Sequence, residues 1–137
     1  MKKLISVILL IALLMFEIKC NANTEPVLIP MELTYYLSTG NPTASGCEVR
    51  EGIVACKPEW LGKTVIIYID DNGLPGDLVG IYEVLDTGYG RYDSESDTGT
   101  ILAGKTIDVF VFDANKGKEL CKLTNARVLV QIIDAEG

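Results

Sequence analysis

The sequence predicts an all-β fold, a small six-stranded barrel with one short helix, and three observations carry that reading. Short runs rich in Val, Ile, Thr, Tyr and Phe recur along the chain. Clusters of Gly, Pro, Asn and Asp separate them at the close spacing of a barrel rather than the long spacing of alternating strands and helices. Only one stretch, near the C-terminus, reads as helix.

The first 22 residues stand apart from that pattern. Met1-Lys2-Lys3 is basic, residues 4–16 are apolar except for Ser6, and Cys20-Asn21-Ala22 offers small residues ahead of a cleavage point after Ala22. The apolar run is shorter than the roughly 20 residues that cross a bilayer as a helix. It reads as a cleaved export signal rather than a retained anchor, and the bulky Lys19 argues against a lipid on Cys20. Its removal takes three lysines and one glutamate, a net +2, so a formal charge of −7 becomes −9 on 115 residues. That length suits one domain with one core.

Residues 23–33 form a tether and the start of the first strand, and residues 34–137 form the barrel. The strand over 31–36 is followed by a loop rich in Gly, Pro, Thr and Ser. Residues 48–55 read as a hairpin about Glu51-Gly52. Residues 64–69 are the most β-branched run, residues 70–76 are dense in turn formers, and 78–85 return as the next strand, making a hairpin with a long tip. A polar loop spans 86–99. Residues 106–112 form a strand with Ile107, Val109 and Val111 on one side and Asp108, Phe110 and Phe112 on the other. Asp113 is placed to cap a helix over 113–123 with Leu120 and Leu123 inward, and a strand over 128–133 closes the chain.

Composition excludes several chemistries. With no histidine, Ser–His–Asp and Cys–His nucleophile systems and imidazole zinc sites are out; no metal and no cofactor are expected. An acidic chain without a basic stripe argues against nucleic acid and against anionic membrane surfaces once the signal is gone. A monomer is expected. In an exported protein the cysteines Cys47, Cys56 and Cys121 meet an oxidising compartment. A hairpin about Glu51-Gly52 sets Cys47 opposite Cys56, where a disulfide fits, and leaves Cys121 as a small buried residue.

Five short motifs in order carry a resemblance. They are Thr43-Ala44-Ser45-Gly46, Val49-Arg50-Glu51-Gly52-Ile53-Val54-Ala55 with Pro58, Leu61-Gly62-Lys63-Thr64-Val65, Asp86-Thr87-Gly88, and Ile107-Asp108-Val109-Phe110. Together they resemble the bacterial three-aspartate domain over residues 34–133. The resemblance implies a double-psi β-barrel, related to lytic transglycosylase A, rare lipoprotein A and the expansins. It implies peptidoglycan or a related glycan as partner, Asp108 as essential acid, Asp86 as its carboxylate neighbour, and Thr43 and Ser45 as substrate-binding residues. Lys57 stands where the family has its first aspartate. Asp97-Thr98-Gly99 also fits the second motif, eleven residues before Asp108; Asp86 is favoured because it follows the strand directly.

Glycan cleavage is chemistry these residues can serve. The departing oxygen must be protonated while positive charge grows at the anomeric carbon. A lytic transglycosylase uses the sugar's own C6 hydroxyl as nucleophile, so one carboxyl can give a proton and later take one back. Lys57 is either an ion-pair partner for Asp86 or Asp108, which suits binding, or an exposed lysine beside a turn. The alternatives are a non-catalytic wall-binding or wall-loosening module, and an interaction protein that reuses the barrel. Tyr35, Tyr36, Tyr68, Tyr82 and Trp60 are candidates for stacking on sugars, with core packing as their default. The exported chain should begin at Asn23, which the intact mass of protein from culture medium will check; recovery of residues 1–22 on membrane-bound protein would contradict it.

Overall fold

Residues 25–87 and 100–134 are described by the computed structural model. The expected signal segment and Asp97 lie outside the described residues. Among the described residues six strands form: β1 (Ile29–Tyr36), β2 (Ile53–Ala55), β3 (Thr64–Asp71), β4 (Leu74–Asp86), β5 (Thr106–Phe110) and β6 (Arg127–Ile133), with a short helix, α1 (Ala114–Thr124), and a 3-10 turn at Pro58–Trp60. They close into a barrel in the order β1-β5-β2-β4-β3-β6. β1 with β5 and β2 with β4 run parallel, and every other pair is antiparallel. The order is symmetric about the β5–β2 seam, with one parallel pair on each side.

Period-two alternation builds the interior. Leu33, Val54, Val65, Ile67, Val84, Ile107, Val109, Val128 and Val130 all face inward and are buried. Most are β-branched, which suits a pleated, packed surface. Tyr36, Ile53, Ala55 and Phe110 form a second buried cluster with Val49 and Leu85 against it. Ile53 and Ala55 flank the inward Val54, so this cluster lies on the barrel's outer face. β2 and the C-terminal ends of β1 and β5 are therefore covered on both sides.

That double cover overturns the expected hairpin about Glu51-Gly52. β4 and β5 occupy both edges of β2, which leaves no edge for residues 47–50. Val49 instead packs over the outer cluster. The expected Cys47–Cys56 bridge is absent with it: Cys47 is exposed, Cys56 is buried, and both are free, as is Cys121.

The β3–β4 hairpin forms, but its tip is short. Asn72 and Gly73 make the turn alone, both with positive φ (52° and 86°), the backbone that a two-residue hairpin loop needs. Asp70 Oδ1 accepts from Gly73 N at 2.7 Å. Pro75 and Gly76 are absorbed into β4 through register shifts around Tyr68. The β5 strand stops at Phe110, and Val111 N then donates to Tyr36 O at 3.0 Å.

α1 begins at the expected cap, where Asp113 Oδ1 accepts from Asn115 N at 2.8 Å. Gly117, Leu120, Cys121 and Thr124 follow the i, i+3, i+4, i+7 row of one helix face; Gly117 and Thr124 are buried, and Leu120 and Cys121 pack on the interior cluster. Leu123, expected inward, lies off that row and is 65% exposed. Gly117 is required by contact rather than by backbone freedom: a Cβ there would run into the Tyr35 ring. Gly117→Ala should therefore destabilise by about 1–3 kcal/mol through overpacking, against a helix-propensity gain of about 1 kcal/mol. Urea midpoints will check this, and the penalty should shrink in a Tyr35→Ala background.

Candidate functional site

Strand register sets the site. Thr34 pairs with Asp108, Asp108 with Ala55, and Ala55 with Asp86. The row Thr34–Asp108–Ala55–Asp86 thus runs across β1, β5, β2 and β4. Adjacent strands lie about 4.8 Å apart, which puts the two aspartate Cα atoms about 10 Å apart. Ala55 is the residue between them in the row.

Both aspartates reach the outer face, for different reasons. Asp108 lies between the inward Ile107 and Val109, so alternation alone turns it outward. Asp86 arrives by a bulge. Val54 pairs with Val84 but Ala55 pairs with Asp86, leaving Leu85 as an extra residue on β4. Leu85 turns onto the outer cluster, and Asp86 follows it to the same side, where Tyr36 meets it. Re-aiming a side chain in this way is a common use of a bulge.

The two carboxylates are held differently. Thr34 Oγ1 donates to Asp108 Oδ1 at 2.9 Å. Asp86 Oδ1 accepts from Thr87 N at 2.9 Å and Ala44 N at 3.2 Å, and Asp86 Oδ2 accepts from Tyr36 Oη at 3.3 Å. The turn carrying Ala44 is seated on the same strand end, since Ser45 N donates to Leu85 O at 3.1 Å. Gly46 N closes that turn on Thr43 O at 2.9 Å, and the Thr43 and Ser45 hydroxyls share a 2.9 Å hydrogen bond. Thr43 is buried and Ser45 is exposed. Asp86 therefore fastens the 43–46 turn to the barrel, while Asp108 lies on the open sheet surface, half-buried.

The expected site residues Asp86, Asp108, Thr43 and Ser45 thus gather on one face. Lys57 does not join them. Its Nζ pairs with Glu59 at 3.3 Å and lies 5.7 Å from the Trp60 ring centroid. Sequence reasoning missed Thr34 and the link from Tyr36 to Asp86. Nothing local announces either, because both depend on the parallel β1–β5 pairing.

Tyr36 is buried, and Tyr35, Tyr82 and Trp60 pack against the interior. Two surface clefts of about 410 and 670 Å³ are lined by neither aspartate: one lies beside Glu32, Asp70, Lys105 and Arg127, the other beside Trp60, Lys63 and Asp134. Among the described residues, no three His, Cys, Asp or Glu side chains gather to hold a metal ion. The sequence matches no protein-family model and no curated protein.

The buried thiols report on the same region. Burial pushes Cys56 up to about 11, countered in part by the Lys57 backbone N–H. Burial also raises Cys121, and the charges of Asp108 and Glu32 raise it further. The folded Cys56 holds its proton above the ordinary value of 9.0, while the unfolded chain releases it. Its contribution to stability is full below pH 9.0 and lost as pH rises toward 11. Urea midpoints across that window should fall, and less steeply in Cys56→Ala. At neutral pH a maleimide should modify Cys47 in the folded protein and leave Cys56 untouched until unfolding, as peptide mapping will show.

Proposed function

We propose that this chain is an exported, peptidoglycan-active protein of the three-aspartate type on a double-psi barrel, and that it cleaves β-1,4 glycan bonds as a lytic transglycosylase. The observation that carries the reading is the shared row of Asp108 and Asp86 on one sheet face, with only Ala55 between them. The two parallel pairs in a closed six-stranded barrel are consistent with the fold. In this reading Asp108 protonates the departing oxygen, and its carboxylate then takes the proton of the sugar's own C6 hydroxyl as that oxygen closes on the anomeric carbon. Thr34 orients Asp108, and Ser45 and Thr43 border the sugar.

Hydrogen bonding at Asp86 favours this over a retaining hydrolase. A retaining hydrolase needs a second carboxylate as nucleophile, whereas three donors hold Asp86 in place. One acid working with an internal nucleophile does not need that second group.

Two observations favour the second reading, a wall-binding or wall-loosening module without turnover. Lys57 replaces the first aspartate of the family pattern, and the three donors on Asp86 make it an anchor for the 43–46 turn. Incubation of purified protein with peptidoglycan, followed by mass spectrometry of the soluble products, separates the readings. Anhydro products should appear, and Asp108→Asn should reduce them on the order of 10²-fold or more, the usual scale for a lost general acid. Unchanged release in that variant would end the transglycosylase reading. Sedimentation with the wall and no products would establish the binding module.

A further inference from the structure

Asp108 and Phe110 share one side of β5, Phe112 comes against Phe110 two residues past the strand's end, and the three differ sharply in cover. Asp108 is half-buried and Phe110 is buried, while Phe112 is 62% exposed. Phe112 is nevertheless braced. Its ring meets Phe110 edge-on, with centroids 4.9 Å apart and planes at 84°. Phe110 in turn meets Tyr36 at 5.4 Å and 65°, and Tyr36 donates to Asp86. A chain of contacts therefore runs from the exposed ring to the carboxylate that fastens the site.

We propose that Phe112 is a stacking subsite for one sugar ring of a glycan strand, beyond the aspartate row and just past the end of β5; the inference rests on the glycan reading above. Asp108 and Phe110 lie two strand residues, roughly 7 Å, apart, and the buried Phe110 comes between Asp108 and Phe112 in chain order. The Phe112 contact is thus with a different ring from the one at the acid. A pyranose has an apolar C–H face and a hydroxyl rim. Along a glycan strand this surface supplies a fixed aromatic ring for the face of one sugar, and carboxylate and hydroxyl groups at Asp108, Thr34 and Ser45 for the rim of a neighbouring one. Of the other aromatic candidates, Tyr36 is buried, Tyr35, Tyr82 and Trp60 pack against the interior, and Tyr68 lies on β3, off the strands that carry Thr34, Asp108 and Ala55.

The test is sedimentation of the purified protein with insoluble peptidoglycan over a concentration series. Phe112→Ala should bind about threefold to tenfold more weakly, the scale of one aromatic contact. Phe112→Leu should be as weak, because it keeps apolar bulk without the ring face, and Phe112→Trp should bind as wild type does. Urea midpoints of the same variants identify any loss that comes from unfolding. Equal binding by wild type, Phe112→Ala and Phe112→Leu would overturn the subsite and leave the glycan reading standing. A wild type that does not sediment would overturn the glycan reading and the subsite together.

Discussion

Three residues close the shorter of the two seams between the halves of this barrel. β2, Ile53–Ala55, joins β4 to β5, while the other seam, β3 with β6, runs over six paired positions. All three of its side chains are buried, Val54 inward and Ile53 and Ala55 outward. A strand this short has few ladder hydrogen bonds, so cover on both faces must do most of the stabilising. At roughly 1.5–3 kcal/mol for burying a Val or Ile side chain, Ile53 and Val54 contribute on the scale of the whole net stability of a small domain. The loop from β1 to β2 crosses the outer face because of this requirement.

The same double cover explains where polar groups can survive. Asp86 reaches the edge of the outer apolar cluster, where an unpaired carboxylate would be costly. Three donors converge on it, two from the backbone and one from Tyr36. Those bonds also satisfy the amide of Ala44 in a loop with no strand partner of its own. Loop order, the bulge at Leu85 and the position of Asp86 are thus one arrangement. Removing any part exposes the others to water.

Much of the fold was legible because it is local. The β-branched run of β3 and the Asp113 cap announce themselves within a few residues, and the small barrel with one helix follows from counting such runs. The hairpin about Glu51-Gly52 failed for the opposite reason. Its own residues permit pairing, but β4 and β5 compete for the same edges from 30 or more positions away in sequence, as the pairings Val54 with Val84 and Val54 with Val109 show. The Cys47–Cys56 expectation fell with it. Asp108 was legible as a charge breaking an apolar alternation, and Asp86 as the residue ending a strand. Their shared row was not, since it needs a parallel pairing on each side of β2 and a one-residue bulge.

The two aspartates therefore answer different physical needs, whichever function the face serves. Asp86 ties three segments together: β1 through Tyr36, the 43–46 turn through Ala44, and the end of β4 through Thr87. A change there disturbs loop order and any chemistry at once, so its effect on turnover alone cannot separate a reacting group from a fastener. Asp108 belongs to a strand paired on both sides, with Thr34 across one seam and Ala55 across the other. Ile107 and Val109 hold the backbone from within the barrel. The ladder and these two side chains place the strand, so replacing the Asp108 carboxylate by an amide of the same size leaves the ladder and the core in place. Of the two positions, Asp108 is the one where chemistry can be altered with the scaffold unchanged.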